Sequence, residues 1–108
     1  MRKGLDREAV CEAALRFIDE NGFEAFSLSA LAKSLGVKTA SLYNHIEGLG
    51  DLLALVGKIA AAMMNAAAEK QMEGKHRLQA LMALGLSLRE YARMHPGLYH
   101  LMVRGTMN

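Results

Sequence analysis

The sequence has no tryptophan, one proline, one cysteine and only 6% aromatic residues. A single cysteine excludes an internal disulfide framework and fits a reducing cytoplasm. Cys11 lies in an apolar helical stretch and reads as a small core residue. Hydrophobic residues make up 52% of the chain. With aromatics so scarce, that content is alanine, leucine and methionine, which favours helix over sheet. The N-terminus is charged and turns straight into helix, without a signal peptide. No apolar run is expected to reach membrane-spanning length, because Leu52 to Ala68 is interrupted by Gly57, Lys58 and Asn65. A membrane partner is therefore not expected. There is no Ser/His/Asp or Cys/His arrangement, no glycine-rich phosphate loop and no Cys/His zinc spacing. The sequence thus points to no enzyme, no cofactor and no metal.

At 108 residues the chain can bury one core but not two separate ones. Its most informative stretch is Ser27 to Ile46, SLSALAKSLGVKTASLYNHI. Leu28, Leu31, Ala32 and Leu35 fall at i, i+3, i+4 and i+7, one face of a helix. Ser27 can cap that helix through its hydroxyl. Gly36 stops it, since glycine takes the left-handed conformation without a Cβ penalty. Val37 follows as an apolar plug. A second short helix is expected from about Thr39, with Leu42 and Ile46 on its inner side. Its outer face would carry Thr39, Ser41, Asn44 and His45. Ala32 is small enough for two helices to cross closely. On spacing alone, a DNA-binding helix-turn-helix and an ordinary helical hairpin with a solvated polar face are equally good readings.

The segment SLSALAKSLGVKTASLYNHIEGLGDLLALV resembles the DNA-binding core of the tetracycline-repressor (TetR) family of bacterial transcription regulators. The likeness is carried by Leu31-Ala32, Leu35-Gly36-Val37, Leu42-Tyr43, His45-Ile46 and Leu52-Leu53. It continues upstream through Ala13-Ala14, Phe17-Ile18 and Asn21-Gly22-Phe23. The resemblance implies an all-α fold: a three-helix DNA-binding domain over residues 1–48, then a connecting helix and a partial effector or dimerisation domain over 49–108. It implies double-stranded DNA as partner, read as a palindromic operator by a homodimer. It also allows a small-molecule effector, for which the sequence offers no clear site.

The same resemblance assigns residues. Ser27 and the start of the second helix would touch phosphate, and Ser29 a base or phosphate. Lys38 would face the duplex, and Thr39, Ala40, Ser41, Asn44 and His45 would enter the major groove. Tyr43 would contact a phosphate through its hydroxyl. The chemistry suits these roles: Asn pairs with adenine N6 and N7, Ser and Thr donate or accept, and Ala contacts a thymine methyl. No Arg reaches the groove from this helix, so a lean towards adenine and thymine is expected.

Two features pull the other way. Residues 1–48 hold six Lys/Arg and seven Asp/Glu, a net of −1, although DNA affinity rests largely on phosphate neutralisation. Position offsets this in part, with Arg2, Lys3, Lys33 and Lys38 free to face the duplex. Arg2, Lys3 and Arg7 are candidate phosphate contacts or simply solvated charges. Second, Leu49 stands where most of the family carry a phosphate-gripping Lys, and Gly48 and Gly50 loosen the start of the next helix. Backbone N–H groups there can still hold a phosphate. These departures support an alternative, a helical interaction module that keeps the fold without reading DNA.

The remaining helices follow from periodicity. The first is expected from about Asp6 to Asn21, burying Val10, Ala14, Phe17 and Ile18, with Phe23 and Phe26 returning to the core. The fourth would run from about Gly50 to Glu73 with Leu52, Leu55, Val56, Ile59, Met63 and Ala67 on one face. Gly74 breaks it. A fifth would run from His76 to Met94 with an apolar stripe too wide for one neighbour, and Pro96 either ends it or starts the next. Leu98, Leu101 and Met102 make a last apolar turn. Glu73 and His76 have i, i+3 metal spacing, but the pair occurs once and is read as chance. His95, Tyr99 and His100 read as a helix junction. The chain is either a fragment or a short natural form, and the apolar surface of its last helices is expected to pair with a second copy.

Overall fold

The computed structural model describes residues 5–106, and these form an all-α fold. Six helices occur among the described residues: α1 Arg7–Asn21, α2 Leu28–Leu35, α3 Thr39–Leu42, α4 Leu49–Met72, α5 Arg77–Met94 and α6 Pro96–Thr106.

The first two helices begin and end on the residues that the sequence marks for it. The Asp6 carboxylate accepts from the Ala9 N–H at 2.7 Å, and the Ser27 hydroxyl accepts from the Ala30 N–H at 3.0 Å. Each satisfies an orphan donor of the first turn. Gly22 ends α1 at φ +89, its N–H donating to Ile18 O at 2.8 Å. Gly36 ends α2 in the left-handed region at φ +71. The Val37 N–H then donates to Ala32 O at 3.0 Å, which closes the turn. Pro96 is the first residue of α6, a position where its missing N–H costs nothing.

One continuous core joins these helices. Val10, Cys11, Ala14 and Ile18 of α1 meet Leu28, Leu31 and Ala32 of α2, Leu42 and Ile46, the α4 ridge Leu52, Val56 and Ala60, and Leu98 and Leu101 of α6. Phe17 is only half-buried, while Cys11 takes the inner position. Burial pushes the Cys11 thiol above its ordinary value, so it stays protonated and packs as an apolar group. Phe23 and Phe26 lie partly buried against this core.

The face of α4 differs from expectation. Ile59 and Met63 are 41% and 46% exposed, and Ala67 is exposed as well. The buried ridge is instead Leu52, Val56, Ala60 and Ala68. Ala60 is on it because α5 comes close there: the buried Tyr91 hydroxyl donates to Ala60 O at 3.2 Å. The reading of Leu52 to Ala68 as too interrupted for a span also needs correction. An 18-residue window of α4 has mean hydropathy 1.4, long and apolar enough to cross a bilayer, and only 22% of it is buried. Alanine and methionine keep the average high despite Gly57, Lys58 and Asn65. The N-terminal half of this helix packs in the protein core through Leu52, Val56 and Ala60.

The wide stripe of α5 is largely uncovered. Only Tyr91 is buried, and Leu78, Leu81, Met82 and Leu86 are 62–70% exposed. At its C-terminal end the chain is clasped to α1. His95 Nδ1 lies 2.8 Å from an Asp19 carboxylate oxygen. A Cβ on Gly97 would sit 2.4 Å from Ile18 O and 3.2 Å from Gly22 Cα, so α6 meets the end of α1 backbone to backbone. The His100 ring packs edge-on to Phe23.

Candidate nucleic-acid interface

The reading region is built from α2, the Gly36 turn and α3, which pack against each other. The second helix is shorter than expected. Its α-helical part ends at Leu42, and the next residues tighten: Asn44 N–H donates to Ser41 O at 3.3 Å and His45 N–H to Leu42 O at 2.9 Å. These are i→i−3 bonds, which commonly close a last helical turn. The path still returns to helical spacing, since Ile46 N–H donates to Leu42 O. Leu42 and Ile46 are consequently both buried, at 0% and 4% exposure.

With those two side chains inward, the polar residues fall outward. Ser27, Ser29, Lys38, Ala40, Tyr43 and Asn44 are exposed, and Thr39, Ser41 and His45 are half-buried. Tyr43 is 53% exposed, free to present its phenol. The Ser27 hydroxyl already accepts a bond as the α2 cap, but it retains its own proton to donate. Lys38 precedes α3 and makes no capping bond. Lys33 is exposed on α2. The geometry can therefore offer hydroxyls, one carboxamide, an imidazole and ammonium groups to a nucleic-acid surface.

Arg7 is committed elsewhere. Its two Nη atoms lie 3.3 Å from the two Asp51 oxygens, a bidentate pairing, and Nη1 also approaches His45 O at 3.5 Å. Asp51 in turn accepts from the Glu47 N–H at 3.0 Å. That bond first, and Arg7 after it, hold the Asp51 carboxyl below its ordinary value. The N-terminus of α1, the exit from α3 and the start of α4 thus converge on one carboxylate. Sequence reasoning treated Gly48 and Gly50 as a loose start to α4 and missed this. The signal was present in Asp51, three residues beyond the Gly48 cap, the position from which a capping-box side chain reaches back. The pairing with Arg7, 44 residues away, has no local signal. Arg2 and Lys3 lie outside the described residues.

A family model of bacterial regulatory proteins, the tetR family, matches residues 10–49, from the first buried turn of α1 to the first residue of α4. The HTH-type transcriptional regulator Rv0681 of Mycobacterium tuberculosis is 35% identical over 105 residues, 93% of this chain and 46% of its own. The crystal structure of a TetR family transcription regulator from Marinobacter aquaeolei VT8 superposes with a TM-score of 0.70 at 26% identity, over 94% of this chain and 54% of that one. The chain carries a TetR-family N-terminal helix-turn-helix domain. A further match is the HTH-type transcriptional regulator YobS of Bacillus subtilis, 32% identical over 91% of this chain and 51% of its own. The HTH-type transcriptional repressor DrrR1 of Streptomyces coeruleorubidus is 44% identical over 52 residues, 48% of this chain and 18% of its own. The chain spans about half the length of the first two curated relatives it matches. Within this TetR framework, Leu49 is 42% exposed at the first position of α4, beside the reading region.

Proposed function

We propose that this chain reads DNA as the recognition part of a transcription regulator, a repressor acting in the cytoplasm as a homodimer on a palindromic operator. The observation that carries the reading is the outward polar set of α3 and its exit, fixed by the inward pair Leu42 and Ile46. Asn44 is the residue for adenine, Ala40 for a thymine methyl, and Thr39, Ser41 and His45 for adjacent base edges. Ser27, Ser29, Lys38 and Tyr43 position the head on phosphates. Residues 1–48 form the reading head and 49–108 the connecting and partnering part. The exposed apolar ridge of α5 supplies a surface for a second copy. No catalytic step belongs to this reading, and an effector would act through α4.

Selection of bound duplexes from a random library, repeated over a salt series, tests it. The expected winner is a palindrome rich in adenine and thymine, bound less tightly as salt rises. Asn44→Ala should then relax one base position, at a cost of about 1–3 kcal/mol of discrimination. Absence of enrichment over random sequence would favour the second reading, a helical interaction module. That reading draws its support from the exposed Leu49, where the family resemblance leads one to expect a phosphate-gripping Lys, and from the net acidic balance of residues 1–48.

A further inference from the structure

A groove of about 630 Å³ runs between α4 and α6, with Phe23 at its lining. Leu53, Met64, Leu101 and Met102 make it apolar. Its α4 wall is cut low by Gly50, Ala54, Gly57 and Ala61, spaced four, three and four apart and so on one face. Gly57 is the informative residue. It sits inside a long helix, where glycine is unfavourable relative to alanine, and a Cβ there would meet nothing within 4 Å. Packing within this chain therefore does not require a glycine. The space above it is open groove.

The charges at this groove have one sign. Among the described residues, Lys58 and Arg104 are its only ionisable lining residues, and no carboxylate joins them. Lys58 has no hydrogen-bond or ion-pair partner among the described residues. Arg104 lies over the Phe23 ring at 5.4 Å, which leaves its N–H groups available. An apolar trough with two cations complements a molecule that is aliphatic along its length and anionic at one end. The volume lies within the range of small-molecule sites, roughly 300–1,000 Å³.

We propose that this α4–α6 groove binds a single-chain carboxylate amphiphile, its aliphatic tail along Gly57 and Ala61 and its carboxylate held by Lys58 and Arg104. The proposal goes beyond DNA reading, does not depend on it, and is tested without DNA.

The probe is dodecanoate, kept below its micelle concentration and titrated calorimetrically into the full 108-residue chain. Saturable one-to-one binding is expected, with 1-dodecanol bound at least about tenfold more weakly, the loss that accompanies a missing charge-assisted hydrogen bond. Lys58→Gln with Arg104→Gln should bring dodecanoate down to the level of the alcohol. Gly57→Leu should fill the trough and weaken both probes. Both charged side chains are exposed, so their double variant keeps the test decisive even where Gly57→Leu disturbs folding. Equal binding of acid and alcohol would overturn the proposal, as would wild-type affinity in the double variant or no saturable binding. Binding to phosphatidylglycerol vesicles without binding of monomeric dodecanoate would also overturn it, in favour of a membrane surface.

Discussion

The reading head and α5 are made of much the same residues and end in opposite situations. In the head, Leu31 and Leu42 are completely buried, and α2 starts on the Ser27 cap and ends on the left-handed Gly36. In α5, Leu78, Leu81 and Leu86 stand at 64–70% exposure, although the helix is more than twice the length of α2. The difference is the supply of neighbours. Within the head α2 packs on α1 and α3, and its core continues into α4, whereas α5 packs mainly on α4 and α6. Leucine content makes a helix; the opposing surface decides whether it becomes core.

Paired truncations would break that contrast most directly. Leu31→Ala should cost about 2–5 kcal/mol, the usual range for a fully buried leucine, whereas Leu81→Ala should change stability by no more than about 0.5 kcal/mol. Chemical denaturation of both variants is the measurement. Equal losses would show that the α5 ridge is covered in solution. The clasp between α1 and α6 comes next. Gly97→Ala places a methyl 2.4 Å from Ile18 O, and about 1–3 kcal/mol of destabilisation is expected from such overpacking, read as a lowered denaturant midpoint.

Smaller effects sharpen the account of the head. Ser27→Ala should cost about 1 kcal/mol through loss of the α2 cap, and thermal unfolding would show it. Leu49→Lys should tighten DNA binding and steepen its salt dependence by about one phosphate contact. An unchanged slope would mean that α4 does not approach the duplex. The smallest effect expected is one of pH. The Asp51 carboxyl is held below its ordinary value of 3.8, first by the Glu47 N–H and then by Arg7. A carboxyl lowered in the fold contributes stability above its unfolded value and loses it as pH falls through the folded one. Stability should therefore fall at the acid end, below 3.8, and Asp51→Asn should flatten that limb of the curve.

Local chemistry made much of this fold legible. Ser27, Gly36, Leu28, Leu31 and Ala32 announce α2 and its turn because caps, left-handed glycines and helical spacing act over a few residues. Pro96 marks the start of α6 for the same reason. What stayed hidden depends on residues far apart in sequence. Ala60 rather than Ile59 faces inward because Tyr91 arrives there from α5, and no periodicity in α4 encodes that. Arg7 looks like a phosphate ligand until Asp51 is brought to it. The contact of His95 with Asp19, 76 residues away, likewise has no local signal. The outward residues Thr39 to His45 were readable because their inward partners Leu42 and Ile46 are four apart. The early end of α3 was not, since the shift to i→i−3 bonding leaves the side-chain pattern unchanged.

The meeting of Gly97 with Ile18 and Gly22 has a consequence for how this architecture can vary. A joint made from side chains can be loosened or tightened by one substitution at a time, because lengths and shapes grade smoothly. A joint made from two main chains has no such dial. Its separation is set by the peptide units themselves, and almost any replacement at Gly97 forces the two helices apart. Variants of this chain can retune the linkage between α1 and the distal helices at Asp19 and His95, whereas at Gly97 they keep it or lose it.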